Sequence, residues 1–190
     1  MASISTPDSI HAAAQDLLDF IDASPSPWHA VAEIRRRLEL QGFTELDEAL
    51  QWRLSPGERH FVVRGGSSII AFVVGQRKPS ESGFHIVGAH TDSPGLRVKP
   101  RAVHKAEAML RIGVEVYGGP ILATFTDRDL SLAGRLGIRV GEGVETRLVR
   151  FPHPVCRLPN LAIHMNRGVN EDGLKLNKQS ELPLLLGAAR

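Results

Sequence analysis

Between residues 10 and 42 the apolar side chains recur every three or four positions, which is the spacing of an amphipathic α-helix. The segment Thr6–Ser9 has the composition of a helix start, and Ser24–Pro27 ends the first helix because its two prolines remove backbone donors. A second helix is predicted from about Trp28, and Gly42 ends it. The apolar positions of the first helix are Ile10, Ala13, Ala14, Leu17, Leu18 and Ile21.

The second predicted helix carries a run of three arginines, Arg35–Arg37, beside an apolar face that includes Val31, Ile34 and Leu38. Such a run could bind a phosphate group or a partner. Three adjacent residues on a helix point in different directions, however, so the spacing favours an ordinary solvated face.

The pattern changes to β-structure at residues 59–76, where two runs rich in Val, Ile and Phe flank Gly65-Gly66 and predict a β-hairpin. Residues 76–83 form a polar loop in this interpretation. Residues 84–89 are mostly apolar and predict a buried central strand that leads directly into His90 and Asp92.

Beyond residue 100 short alternating segments and many glycines predict several β-strands, at about residues 108–116, 133–140 and 145–149. We therefore predict an α/β fold with two parts. Residues 1–99 contain helices, a hairpin and an apolar strand, as in an α/β sandwich. Residues 100–190 form a mostly β module.

Composition excludes several classes of protein. With 190 residues, 42% of them hydrophobic, the chain is long enough to bury a core. Its 23 Lys and Arg are interspersed with 21 Asp and Glu, so we expect no nucleic-acid or anionic-membrane surface. The opening Met1–Leu18 lacks the apolar run of a signal peptide, and we expect a cytoplasmic protein. The one cysteine, Cys156, is expected to be a buried thiol.

The candidate chemistry concentrates at His90 and Asp92. A histidine at a strand end can place one imidazole nitrogen on a metal while an aspartate two positions later accepts a hydrogen bond from the other nitrogen. Ligand crevices also open at strand ends in α/β folds. On its own this spacing is weak evidence for a metal ligand and favours a structural histidine beside a turn aspartate.

The segment Gly88–Leu96, which reads GAHTDSPGL, resembles the metal-binding motif of the aspartyl aminopeptidase family, peptidase family M18. Further segments resemble landmarks of the same family in the same order along the chain. These are Ser24–Val31 (SPSPWHAV), Gly42–Leu46 (GFTEL), Tyr117–Gly119 (YGG) with Asp127–Arg135 (DRDLSLAGR), and Pro159–Arg167 (PNLAIHMNR).

The resemblance implies a zinc-dependent aminopeptidase that removes N-terminal, acidic residues from peptides and holds a pair of zinc ions in each complete active site. His90 would be a zinc ligand, and Asp92 the carboxylate at the active site that orients it. His164 would bind substrate in the active site of a neighbouring subunit. The family's catalytic α/β domain is interrupted by a β-rich dimerisation domain, which matches the predicted boundary near residue 100, and its dimers build dodecamers.

Family members are considerably longer than this chain, and their remaining zinc ligands and general-base glutamate lie in the part that has no counterpart here. A catalytic zinc site needs about three protein ligands. The other histidines show no metal-binding spacing: they are His11, His29, His60, His85, His104 and His153. We therefore expect the chain by itself to be inactive. An alternative function is an inactive assembly module, or the remnant of a split gene.

Overall fold

The computed structural model describes residues 7–188. Its helices and strands, in chain order, are α1 (Pro7–Ala23), α2 (Pro27–Leu40), β1 (Thr44–Glu45), β2 (Arg59–Arg64), β3 (Ser68–Val73), the short α3 (Pro79–Ser82), β4 (Gly95–Ala106), β5 (Met109–Tyr117), β6 (Asp129–Leu130), β7 (Ala133–Val140), β8 (Gly143–Arg150), β9 (Cys156–Arg157), the short α4 (Val169–Asp172) and β10 (Leu184–Ala188).

The chain divides into two compact units that interleave along the sequence. The first unit consists of Met1–Asp92 with Gly134–Leu148, and the second of Ser93–Ala133 with Val149–Arg190. The boundary expected near residue 100 stays a prediction.

The two predicted helices are confirmed, with the ends that the sequence indicates. Ser26 caps α2, since its side chain accepts a hydrogen bond from the backbone of His29, and Pro27 occupies the first turn, where no backbone donor is needed. Gly42 follows α2 with a φ of 76°, a left-handed conformation that favours glycine. Thr6, the first residue of the expected helix start, lies outside the described residues.

A network of charges centred on Glu33 connects the two helices. Its carboxylate accepts hydrogen bonds from Arg36 at 2.6 Å and from Arg37 at 2.7 Å, and Arg37 also reaches Asp16 of α1 at 2.8 Å. These hydrogen bonds lower the pKa of Glu33 from 4.5 to about 2. The arginine run is partly exposed, as a solvated face requires, but its members are paired with carboxylates.

The helix α1 is amphipathic as predicted, yet its apolar stripe remains largely exposed. The relative exposure of Ile10, Leu17, Leu18 and Ile21 lies between 54% and 57%. Few hydrophobic residues of the first unit are fully buried in the part of the chain that the structure describes, namely Ala30, Val31 and Phe61. The described part of this unit therefore covers little of its own apolar surface.

The predicted hairpin is confirmed as β2–β3, which pair antiparallel from Arg59↔Val73 to Arg64↔Ser68. Gly65 and Gly66 have φ values of 60° and 69°, so both adopt the conformation that makes a glycine pair a turn signal. β1 adds to β2 in parallel, and β7 with β8 forms a separate two-stranded sheet.

The second unit is built on a five-stranded sheet in the order β4-β5-β10-β9-β6. All of its strand pairs are antiparallel. The predicted strands near residues 108–116, 133–140 and 145–149 correspond to β5, β7 and β8. β4 was not predicted. It pairs with β5 along both ends but bulges between Val98 and Val103.

The sheet of the second unit covers a contiguous core, whose buried members are Ala102, Ile112, Val114, Cys156, Leu158, Leu182 and Leu184. The expectation of a buried thiol is confirmed, because Cys156 is 7% exposed and burial raises its pKa. None of the helices in residues 7–188 is long and apolar enough to cross a membrane.

Replacing Glu33 by Gln is expected to destabilise the protein by about 1 kcal/mol near pH 6, because the arginines are partly exposed to screening solvent. A lowered carboxyl pKa contributes stability above the unfolded value and loses it as the pH falls towards the folded value. The difference between wild type and Glu33→Gln should thus shrink between about pH 4.5 and pH 2. Urea unfolding midpoints across this range measure it, with Glu39→Gln as the exposed control; a difference independent of pH would contradict the assignment.

Leu182→Ala is expected to cost about 2–5 kcal/mol of unfolding free energy, because Leu182 is fully buried in the core of the second unit and the truncation leaves a cavity. Leu161→Ala removes the same atoms at a site that is 51% exposed and should cost much less. Denaturant unfolding of the two variants gives the comparison, and equal losses would show that this core is not the stabilising one.

Candidate metal centre

His90 and Asp92 lie side by side. The Nδ1 atom of His90 is 2.8 Å from Oδ1 of Asp92. Since a carboxylate can only accept, Nδ1 carries the proton of a neutral ring and Nε2 keeps its lone pair for a ligand. The imidazole is 90% exposed and the aspartate 32% exposed, so the ring is open to a metal. The structure places the two together; their roles at a metal stay a prediction.

The prediction of a buried strand at residues 84–89 is wrong. These residues have no regular secondary structure, and Phe84, Ile86 and Val87 are 77%, 85% and 99% exposed. An extended apolar run becomes a buried strand only when neighbouring strands take its backbone hydrogen bonds. No strand in the part of the chain that the structure describes pairs with this run.

Thr91, between the two candidate residues, ties this loop to the hairpin. Its Oγ1 donates a hydrogen bond of 2.8 Å to the carbonyl oxygen of Ser67, in the turn between β2 and β3. Sequence reasoning missed this contact, because nothing local relates a threonine to a backbone carbonyl in a turn so far away in the sequence.

His164 belongs to the second unit and is described by itself. It lies exposed in the middle of a 3₁₀ helix formed by Ile163–Met165. The preceding segment is held in place because the Oδ1 atom of Asp127 accepts a hydrogen bond from the backbone of Asn160 at 3.2 Å. Its expected role at a neighbouring subunit stays a prediction.

The described residues do not assemble a complete metal site. No group of three or more His, Cys, Asp and Glu side chains within residues 7–188 could hold a metal ion. The donor set of His90 and Asp92 nonetheless fits one part of a zinc site, because ligating histidines almost always donate their second N–H to a carboxylate, carbonyl or water. The pair thus suits one ligand and its supporting carboxylate.

A sequence model of one protein family, described as aminopeptidase I zinc metalloprotease (M18), matches residues 20–190. The chain belongs to the M18 peptidase family. His90, Asp92 and His164 all lie inside the matched range, and the family resemblance drawn from the motifs is confirmed. The family description names zinc as its metal.

Among curated relatives, the probable M18 family aminopeptidase 2 of Pseudomonas paraeruginosa is 51% identical over 172 residues. The match covers 90% of this chain but 40% of that relative. The chain therefore spans about two fifths of the length of the curated relatives it matches. The assignment to a family of metallo-aminopeptidases is confirmed at the level of the family.

Solved structures show the same likeness. The chain resembles one in the cryo-EM structure of the Ape4 and Nbr1 complex, with a TM-score of 0.87 and 43% identity over 92% of this chain and 34% of that chain. It also resembles the S. cerevisiae mApe1 dodecamer, with a TM-score of 0.71 and 27% identity over 93% of this chain and 48% of that one. The mixed α/β fold is thus that of M18 aminopeptidase structures.

Asp92→Ala is expected to weaken zinc binding at His90 by about 10-fold or more, because the imidazole loses the group that holds its proton and orientation. Zinc titration of the isotope-labelled chain, followed at the ring resonances of His90 by NMR, gives the apparent affinity. Asp19→Ala, which removes an exposed carboxylate from α1, is the control and should leave it unchanged. An unchanged zinc affinity in Asp92→Ala would show that Asp92 does not support metal binding at His90.

Proposed function

We propose that this chain is the portion of a zinc-dependent aminopeptidase that contributes one metal ligand, His90, and the carboxylate that orients it, Asp92. The observation that carries the proposal is the 2.8 Å contact between Nδ1 and Oδ1, at a motif inside the range that the family model matches. The resemblance of Gly88–Leu96 to the family's metal motif supports the same roles.

In this proposal Asp92 orients the imidazole of His90 for metal binding. Asp92 holds the proton on Nδ1, so Nε2 of His90 would face the metal, and the carboxylate makes the imidazole a more basic ligand. When bound, zinc acidifies a water molecule and polarises the scissile carbonyl. The further ligands and the general base would come from polypeptide outside the matched portion, because the described residues do not group around His90.

The substrate class that we propose is a peptide with an acidic N-terminal residue, and the complete site would hold a pair of zinc ions. Both points rest on the resemblance of five ordered segments to aspartyl aminopeptidases. The family description supports zinc in general.

The exposed apolar surface of the first unit supports the proposal that more polypeptide belongs on it. The unpaired run 84–89 and the stripe of α1 leave large hydrophobic side chains in solvent, which is uncommon in a finished domain. The curated relative has about three fifths of its length outside the match. We propose that the corresponding polypeptide covers residues 84–89 and the apolar stripe of α1.

Self-association is the second part of the proposal. Residues 1–99 would belong to a catalytic domain and residues 100–190 to a β-rich dimerisation domain, in a cytoplasmic enzyme whose dimers assemble further. The mApe1 dodecamer, to which the chain is similar, supports such an assembly. His164, exposed on its 3₁₀ helix, would then bind substrate in the active site of a neighbouring subunit.

A different function is favoured by one observation. The second unit has a contiguous core of its own, while few hydrophobic residues are fully buried in the described part of the first. Such a unit could serve as an assembly module without any peptidase activity. Activity measurements on the chain alone and on a longer polypeptide separate the two functions.

The purified 190-residue chain is expected to hydrolyse no aminoacyl substrate, even with zinc or manganese added. One imidazole is too few ligands for a catalytic metal, and without a general base no water molecule is activated. A hybrid that continues this chain with the remaining part of the Pseudomonas paraeruginosa relative is expected to release N-terminal Asp or Glu from peptides. His90→Ala should abolish that activity, and His153→Ala, at an exposed histidine of the second unit, should not.

Three results would contradict the proposal. Metal-dependent turnover by the short chain would show that the other ligands are dispensable. A folded, zinc-loaded hybrid whose activity survives His90→Ala would remove His90 from the site, and a folded hybrid with no activity would favour the assembly module.

A further inference from the structure

We propose that the turn Gly65–Ser67 is a platform that positions the His90–Asp92 pair, and that Thr91 and Arg135 are the positioning residues that connect it. This inference rests on the metal role of His90 proposed above. It adds residues that do not touch the metal but decide where the imidazole points.

The first step is the tether at Thr91. Its neighbours in the sequence are the two site residues, and its Oγ1 donates a hydrogen bond to the Ser67 carbonyl oxygen at 2.8 Å. The preceding run 84–89 lies outside any strand, so regular secondary structure does not fix the loop from that side. The hydrogen bond therefore anchors to the turn the residue that lies between His90 and Asp92.

The second step is the turn itself, which is held at its other end. Nη1 of Arg135 donates a hydrogen bond of 2.9 Å to the carbonyl oxygen of Gly65. The guanidinium carbon lies 4.9 Å from the centre of the Trp28 ring, a cation–π distance. Carbonyl groups at both ends of the three-residue turn are thus occupied, one by Arg135 and one by Thr91.

The third step concerns the side chains that lie beside this turn. A Cβ atom added at Gly66 would lie 3.6 Å from Cδ1 of Trp28 and 3.9 Å from Nη1 of Arg135. These are ordinary contact distances, so the indole and the guanidinium lie beside the turn with room for about one methyl group. Its positive φ values add a second restriction, since other residues adopt them with difficulty. The turn is therefore held by hydrogen bonds at two of its carbonyl groups, and Thr91 binds one of them.

Trp28 and Arg135 fall in two of the segments whose resemblance to the family was noted, far apart in the sequence. The structure brings both onto the same turn. If the contacts of Arg135 only stabilised the hairpin, their removal would leave the imidazole of His90 unaffected. A positioning role requires that the tautomer of that ring change when the hydrogen bond of Arg135 or of Thr91 is removed.

The test uses the full chain and three substitutions at the two positioning residues. Thr91→Val removes the donor and keeps the shape, and Thr91→Ser keeps the donor and loses a methyl group. Arg135→Met keeps an unbranched side chain beside Trp28 and removes the bond to Gly65. Thr124→Val, which removes a hydroxyl bond to Ile121 in the second unit, is the matched control.

Two readouts are taken from the ring nitrogens of His90 by long-range proton–nitrogen NMR. The first is the fraction of rings protonated on Nδ1 without metal, at about pH 8.5, where an ordinary imidazole is neutral. The second is the apparent zinc affinity at the same resonances. Urea unfolding of each variant shows that it is folded.

Wild type, Thr91→Ser and Thr124→Val are expected to keep the Nδ1-protonated ring. In Thr91→Val and Arg135→Met the ring should shift towards the tautomer ratio of a histidine peptide, and zinc affinity should fall about 10-fold. Unchanged tautomer ratios in both variants would overturn the platform even if zinc still binds at His90. A change in Thr91→Val alone would overturn the role of Arg135.

Failure of the proposed function gives a different pattern. If zinc leaves the His90 resonances of the wild type unmoved while Thr91→Val still alters the tautomer ratio, the metal role fails and the positioning role stands. If neither zinc nor Thr91→Val affects the ring, both proposals are wrong.

Discussion

A neutral imidazole presents one nitrogen to a metal in a defined direction only if the proton on its other nitrogen is held. The hydrogen bond from His90 to Asp92 meets this requirement with two residues of one loop. The proposed ligand therefore does not need the whole domain for its tautomer, but it needs the loop to keep its shape. Thr91 and the turn between β2 and β3 provide a fixed point for that loop.

The sequence predicted well those features that are set by residues close to one another in the sequence. α1 and α2 follow from apolar spacing, a proline pair and Gly42, and the hairpin follows from Gly65-Gly66. The run 84–89 was assigned wrongly because the same apolar residues form a strand or an open segment depending on what lies beside them. β4 was missed because it includes Lys99, Pro100 and Arg101, and what makes it a strand is its pairing with β5.

In the candidate site, too, the sequence predicted the local contact and missed the contacts between distant segments. The motif spacing was enough to predict that His90 and Asp92 would meet, since one intervening residue separates them. The contacts of Arg135 with Gly65 and Trp28 join segments that are distant in the sequence, so no local pattern predicts them. The contact of Arg37 with Asp16 was missed for a related reason, because a run of arginines does not show which carboxylate lies beside it on another helix. The pairs of Glu33 with Arg36 and Arg37 have the spacing of neighbours on one helix, so the sequence contained the signal for them.

The order of the larger sheet has a consequence for synthesis. β10 lies between β5 and β9, although it is the last of the sheet's strands in the chain. While the ribosome is still adding the residues from Tyr117 to Leu184, β5 has β4 on one side and an unpaired edge on the other. Such an edge, beside apolar residues such as Ile112 and Val114, is prone to wrong pairing. This edge therefore stays open to wrong pairing on the ribosome until β10 emerges.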